Sequence, residues 1–321
     1  MGRRVVRRQI GVCEKLPELK WSLKLHEIYC AEARAQYLLE RDANSDAEDW
    51  KVARWQARRL IIEFLRSSNF LTDVGASLRE SGVNAMALRH FLAPPISQDQ
   101  FKLICPAWSK SSEKSGKAAS VNSAAAVAAV FSERRSRSLS PWLDKARPPT
   151  LSELASAIGA TAPLIASQQV ATARRNRLSA KQESLVVELL EQKNWNRLQS
   201  NLVSISGQLP AHSFMHKTRF ASGPNENQEV DIACGLGGTI VLAMECKVTN
   251  DETNSVKRIN DVLKKASAWK SHWGAFVRPA ALLQGVIKFS DVQRLLDSGV
   301  EVFWSHRIDL FAQWVEANET Q

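Results

Sequence analysis

One hairpin constrains this chain more than any other stretch. Glu229 to Cys234 reads as a short strand, Gly235-Leu236-Gly237-Gly238 as a turn, and Thr239 to Val248 as a long apolar strand. Successive strand side chains point to opposite faces, so Glu245 and Lys247 share a face while Cys246 points into the core. The glycine turn folds the Asp231 strand back beside them, giving Asp-x13-Glu-x-Lys across the hairpin. Two carboxylates and an ammonium then meet at the end of the apolar run Ile240 to Met244. Burying three charges there is costly without a partner. A divalent cation between the carboxylates offsets that cost, and a hard cation on oxygen ligands is what phosphodiester cleavage needs. The bland alternative is a salt bridge at a strand end. Glu18-Leu19-Lys20, Asp49-Trp50-Lys51 and Glu191-Gln192-Lys193 repeat the short acid-x-Lys pattern, but on helical stretches, where i and i+2 diverge.

The segments after the hairpin predict a helix over 255–271, a buried strand over 274–284, a helix over 290–296, a strand over 300–305 and a closing helix over 308–317. That order gives an α/β core with a mixed central sheet flanked by helices. The first half reads as helical instead, over 16–41, 46–66 and from about Asn69 to Ala93. Ser97 caps a helix to Ile104, 111–123 is a Ser-, Lys- and Gly-rich loop, and 124–131 is an Ala-rich helix. Pro148-Pro149 divides the chain into a helical region, 1–148, for recognition and assembly, and a catalytic core, 149–321. Thr150 and Glu153 form a capping box. Leu154 to Ala162 has the small-residue spacing of a helix-turn-helix around Gly159, and Ser179 caps a further helix to about Trp195.

Composition narrows the partner. Lys plus Arg number 43 against 33 acids in 321 residues, a net charge of +10, which favours a polyanion, nucleic acid before an acidic membrane surface. The five cysteines are scattered without a CxxC, which fits a reducing cytoplasm and excludes a disulfide framework. No secretory signal or membrane span is expected.

Val230-Asp231, the glycine turn and Glu245-Cys246-Lys247 resemble the PD-(D/E)XK nuclease motif, with Val230 where a proline is usual. Further pieces resemble type II restriction endonucleases of the XamI kind: Ala93-Pro94-Pro95-Ile96-Ser97, Ser140-Pro141-Trp142-Leu143, Arg174-Arg175-Asn176, Lys181-Gln182-Glu183, the segment from Glu245 to Arg258, and Phe303-Trp304-Ser305-His306. Residues 1–90 carry no such likeness. The resemblance implies a restriction-endonuclease-like fold and Mg²⁺-dependent cutting of double-stranded DNA, leaving 5′-phosphate and 3′-hydroxyl ends. It also implies a homodimer on a palindromic site and a cognate DNA methyltransferase that protects host DNA. Asp231, Glu245 and the Cys246 carbonyl would hold the metal, Lys247 would position the attacking water, and Glu183 would be an accessory acid.

Asn254, Ser255, Lys257 and Arg258 follow the catalytic strand at a helix start and are candidate DNA contacts. Arg174, Arg175 and Arg177 suit phosphate clamping, as do Arg134, Arg135 and Arg137. Lys264, Lys265 and Lys270 read as a solvated helix face. His212-x3-His216 lies in an expected loop without a nearby Cys or His partner, so zinc is not expected. Trp50, Trp55, Trp195, Trp269, Trp273 and Trp304 read as core. Two other functions compete: a repair or structure-specific nuclease on the same core, and a non-catalytic regulator using the helix-turn-helix-like segment.

Overall fold

The computed structural model describes residues 23–41, 43–224 and 226–319. Contacts divide the chain into two compact units, one made of residues up to Arg41 with Arg175 onward, the other of Asp42–Arg174.

The second unit is helical. It holds α2 (Ala43–Ser67), α3 (Val74–Glu80), α4 (Asn84–His90), α5 (Gln98–Ile104), α6 (Lys110–Ser115), α7 (Val121–Arg134), α8 (Pro141–Asp144) and the first part of α9 (Leu151–Gln192); α1 (Leu23–Leu39) belongs to the other unit. Its core is built on Ile61, Phe64, Phe91, Phe101, Trp108 and Trp142. The Ser97 and Thr150 caps form as expected. Ser97 accepts the Gln100 N–H while Gln100 returns a bond, and Glu153 bonds both the N–H and hydroxyl of Thr150. The loop expected over 111–123 instead begins with α6, because Glu113 is drawn inward to Arg89, which donates to both its oxygens (3.2 and 2.6 Å).

The helix-turn-helix expectation fails here, since Gly159 lies inside α9. Thr161 satisfies its hydroxyl on the Ala157 carbonyl at 2.7 Å, a bond that needs an unbroken turn. Ser179 is likewise interior to α9 and caps nothing.

The other unit is the expected α/β core. Its strands are β1 (Asn196–Arg197), β2 (Leu202–Val203), β3 (Ser213–Gly223), β4 (Glu226–Gly235), β5 (Val241–Thr249), β6 (Val277–Gly285) and β7 (Glu301–Trp304); its further helices are α10 (Glu252–Trp273), α11 (Phe289–Asp297) and α12 (Ile308–Glu319). The sheet runs β1-β3-β4-β5-β6-β7, with β2 also beside β3. β3, β4 and β5 form an antiparallel meander, and β6 and β7 add in parallel through the crossover helices α10 and α11. One face packs on the end of α9 and on α12 through Val186, Leu190, Leu242, Met244, Phe303 and Phe311. The other packs on α10, α11 and α1. Every β5 residue is buried, as a central strand covered on both faces requires. Trp195, Trp269, Trp273 and Trp304 lie in this core, whereas Trp55 is exposed beneath the Arg59 guanidinium.

The largest departure is β3. The sequence reads His212-x3-His216 as a loop near Pro210, yet Ser213–Gly223 is an eleven-residue strand paired along β4. The His212-x3-His216 pair is thereby separated, His212 stacking near Trp195 and His216 lying beside Glu183. Cys30, Cys105, Cys234 and Cys246 are free and buried; Cys13 lies outside the described residues. No described helix is long and apolar enough to cross a membrane.

Candidate active site

The site forms where two strands part. β4 and β5 pair from Gly235↔Val241 to Ile232↔Met244. The next residues are Asp231 and Glu245, and from there β4 continues beside β3 while β5 continues beside β6. The parting would leave the Cys246 N–H without a strand partner in a buried strand. Asp231 Oδ2 accepts it at 2.7 Å. A bond from main chain to side chain thus replaces a ladder bond and fixes one carboxylate at the fork.

Glu245 is fully buried at 0% exposure. Lys247 Nζ donates to its Oε2 at 2.5 Å, and Lys247 also lies 3.9 Å from Asp231 and 3.8 Å from Asp261. A second ammonium, Lys265 Nζ on α10, donates to Glu245 Oε1 at 2.8 Å, to Oε2 at 2.9 Å and to the Glu229 carbonyl at 3.0 Å. Burial pushes the Glu245 carboxyl upward against the pull of Lys247 and Lys265. Burial alone would lower Lys247, but Glu245, Asp231 and Asp261 outweigh it, so its ammonium is held above the usual lysine range. Cys246 lies in the core on the opposite face, and burial raises its thiol well above the usual range.

Asp231, Glu245 and Lys247 are therefore brought together. Glu183 is also drawn inward: it is buried, with His216 Nε2 at 2.8 Å and Lys217 Nζ at 3.0 Å from its Oε2. Two consecutive strand residues reach the same oxygen because Lys217 sits in the left-handed region (φ +54), which interrupts the alternation of β3. Glu183 holds the Lys217 ammonium above its usual range, with a further pull from Asp231. This second cluster therefore shares the electrostatic field of the first.

The DNA-contact candidates fare unequally. Ser255 is buried and its hydroxyl donates to Asp291 at 2.9 Å, so it is not presented to a ligand. Asn254 is exposed but tied to Asp251, whose carboxylate accepts its backbone N–H. That carboxylate already occupies the helix start expected to attract phosphate. Lys257 is exposed and Arg258 half-buried. Arg174 is paired with Asp46, while Arg175 and Arg177 are exposed. Of the arginines near 135, Arg135 is paired with Asp144 and Arg134 lies 3.5 Å from Glu133.

The expectation of a solvated face on α10 fails for two of its three lysines. Lys265 reaches Glu245, and Lys270 donates to the Ser298 and Gly299 carbonyls. Helical spacing held the signal: Lys265 follows Val262 by three and precedes Trp269 by four, both on the buried face. Asp261, His216 and Lys217 were also missed. The last two depend on β3, whose pattern is interrupted at the residues that matter.

A mixed sheet that forks at its centre around two acids and a lysine defines a restriction-endonuclease-like α/β protein. The family model described as XamI restriction endonuclease matches residues 68–304, and the chain belongs to that family. It is 29% identical over 258 residues, 76% of this chain and 88% of the relative, to the type II restriction enzyme XamI of Xanthomonas campestris pv. amaranthicola. Among solved structures, protein VC1899 from Vibrio cholerae aligns with 84% of this chain and 58% of its own at 11% identity, with a TM-score of 0.33.

The family implies a divalent metal. Among the described residues no group of three or more His, Cys, Asp or Glu side chains is placed to hold a metal ion. Asp231 and Glu245 are hard oxygen donors, and with Asp261 their charge exceeds that of Lys247 and Lys265. A pair of carboxylates suits Mg²⁺, which usually keeps several waters and takes one or two protein carboxylates. It suits zinc poorly, because structural zinc wants a full set of thiolate and imidazole ligands.

Proposed function

We propose that this chain is a type II restriction endonuclease that hydrolyses double-stranded DNA with Mg²⁺ at a site built on Asp231, Glu245 and Lys247. The observation that carries the assignment of residues is the fork, where Asp231 takes the Cys246 N–H beside the buried Glu245–Lys247 pair. Asp231 and Glu245 would hold the cation, with the Cys246 carbonyl as a third donor. When bound, the cation supplies Lewis-acid polarisation of the scissile phosphate. Lys247, kept protonated by its acidic neighbours, donates from Nζ to orient the attacking water or to stabilise charge gathering on the phosphate. Glu183, with His216 and Lys217, would be the accessory acid beside Asp231. Products would be 5′-phosphate and 3′-hydroxyl ends.

The division of labour retained from the sequence gives 149–321 the chemistry and 1–148 recognition and assembly. It differs from the compact units, which place α1 with the sheet and the start of α9 with the helices. Lys257, Arg175 and Arg177 are the better placed DNA contacts, with Arg258 and Asn254 secondary. A palindromic site would be read by a homodimer, and a cognate methyltransferase would protect host DNA. The reducing cytoplasm is its expected compartment.

Plasmid and phage DNA digested by wild type and by Lys247→Met and Asp231→Asn test this reading. Discrete fragments that need Mg²⁺ and fall by at least about 10²-fold in either variant, with DNA binding retained, are expected. Absence of metal-dependent cutting across varied DNA would overturn it. Preferential cutting of flaps or junctions would favour a structure-specific nuclease instead.

A further inference from the structure

Glu245 carries more cationic company than Lys247 alone accounts for. Lys265 grips both of its oxygens, is itself only 15% exposed, and is anchored on the Glu229 carbonyl of the neighbouring strand. The lysine stem rises from the face of α10 that packs on the sheet, between Val262 and Trp269. Its position is therefore fixed by packing at both ends, unlike a surface lysine that finds an acid by chance.

We infer that Lys265 is a positioning residue that sets the cation affinity of this site: it is the resident counter-charge of Glu245, and a divalent ion must bind against it. The inference rests on the metal-dependent nuclease reading of the same residues. Two physical arguments support it. A fully buried carboxylate destabilises the fold unless cations compensate it, and Lys247 is shared among Glu245, Asp231 and Asp261. Among the described residues the acid that Lys265 pairs with is Glu245, so it supplies the undivided share. A fixed positive charge within hydrogen-bond distance of a cation ligand also repels the incoming ion, so removing it must tighten cation binding. A residue that merely packed α10 against the sheet would change stability but leave cation affinity alone.

The test measures Mg²⁺ affinity by titration calorimetry, and Tm with chelator and with Mg²⁺, on the full chain as wild type, Lys265→Met, Lys265→Gln and Lys265→Arg. The two neutral variants are expected to bind Mg²⁺ about tenfold more tightly than wild type, as loss of one nearby unit charge implies. They should melt lower than wild type in chelator and recover most of that deficit in Mg²⁺, because the ion replaces the missing charge. Lys265→Arg should stay close to wild type in both. If a neutral variant folds only when Mg²⁺ is added, the assignment stands; if Mg²⁺ does not rescue it, the assignment fails. Unchanged or weaker Mg²⁺ binding in both neutral variants, or a Tm deficit indifferent to Mg²⁺, also overturns it. Wild-type plasmid cleavage is scored separately. Loss of that cleavage defeats the nuclease reading, whereas cleavage with the wrong affinity order defeats only the role of Lys265.

Discussion

At the scale of single residues, His26 shows how one hydrogen bond fixes a protonation state. Trp304 Nε1 donates to His26 Nδ1 at 3.2 Å, and an indole nitrogen can only donate. The imidazole must therefore be neutral, with its proton on Nε2. Burial lowers its pKa from 6.5 to about 4. The unfolded chain takes up this proton near pH 6.5 and the folded chain only near 4, so between those values the unfolded state binds more protons. Stability from this group is complete above pH 6.5 and declines as pH falls toward 4, by as much as about 3 kcal/mol. Urea denaturation at pH 7.5 and 4.5 should show this loss in wild type and a smaller one in His26→Gln. Equal losses in the two would show that His26 is not its source. In the helical unit, Glu113→Ala strands the buried Arg89 guanidinium and should cost about 3–5 kcal/mol, read from the urea midpoint.

At the scale of elements, the end of β5 depends on a close approach. Gly285 ends β6 with φ +95, and a Cβ there would lie 2.0 Å from the Thr249 carbonyl, directly across from it on β5. Thr249 in turn donates its hydroxyl to the Val286 carbonyl at 2.7 Å. Gly285→Ala must therefore push the end of β5, two residues past Lys247, and should cost at least about 2 kcal/mol in thermal melts and lower cleavage as well. A melt unchanged by this substitution would mean the strand end yields freely. The elements also show what could be read from sequence alone. The β4–β5 hairpin was legible because an apolar run, a glycine turn and alternating charges agree, and the β6-to-α12 order followed from clear changes of period. β3 was hidden because its buried Ser213, Phe214 and Met215 run consecutively and Lys217 breaks the alternation, so no strand pattern survives. α6 was hidden because a buried Glu113 looks like a loop residue until Arg89, from another helix, is beside it. Lys265 was misread for the same reason: its partner lies on a different element, 20 residues away in sequence.

At the scale of the whole molecule, the sequence carries a surplus of +10, while the acids at the site outnumber its lysines. On the proposed function, a net-basic chain that binds DNA releases counterions from it, so binding of the Lys247→Met protein to cognate DNA should weaken steeply with salt. Arg175→Ala should reduce the log–log slope by about 1 if it contacts a phosphate. Filter binding across a salt series measures this, and an unchanged slope would remove Arg175 from the interface. The sheet carries one more consequence, for assembly. At one end lie the two-residue strands β1 and β2, laid along β3, and at the other the four-residue β7. Among the described residues neither end offers a long run of open backbone for another chain to copy, so strand-by-strand growth into fibres has a poor template at both borders. A second copy joining this one would have to be recognised through side chains, which can be selective, rather than through backbone, which any chain possesses.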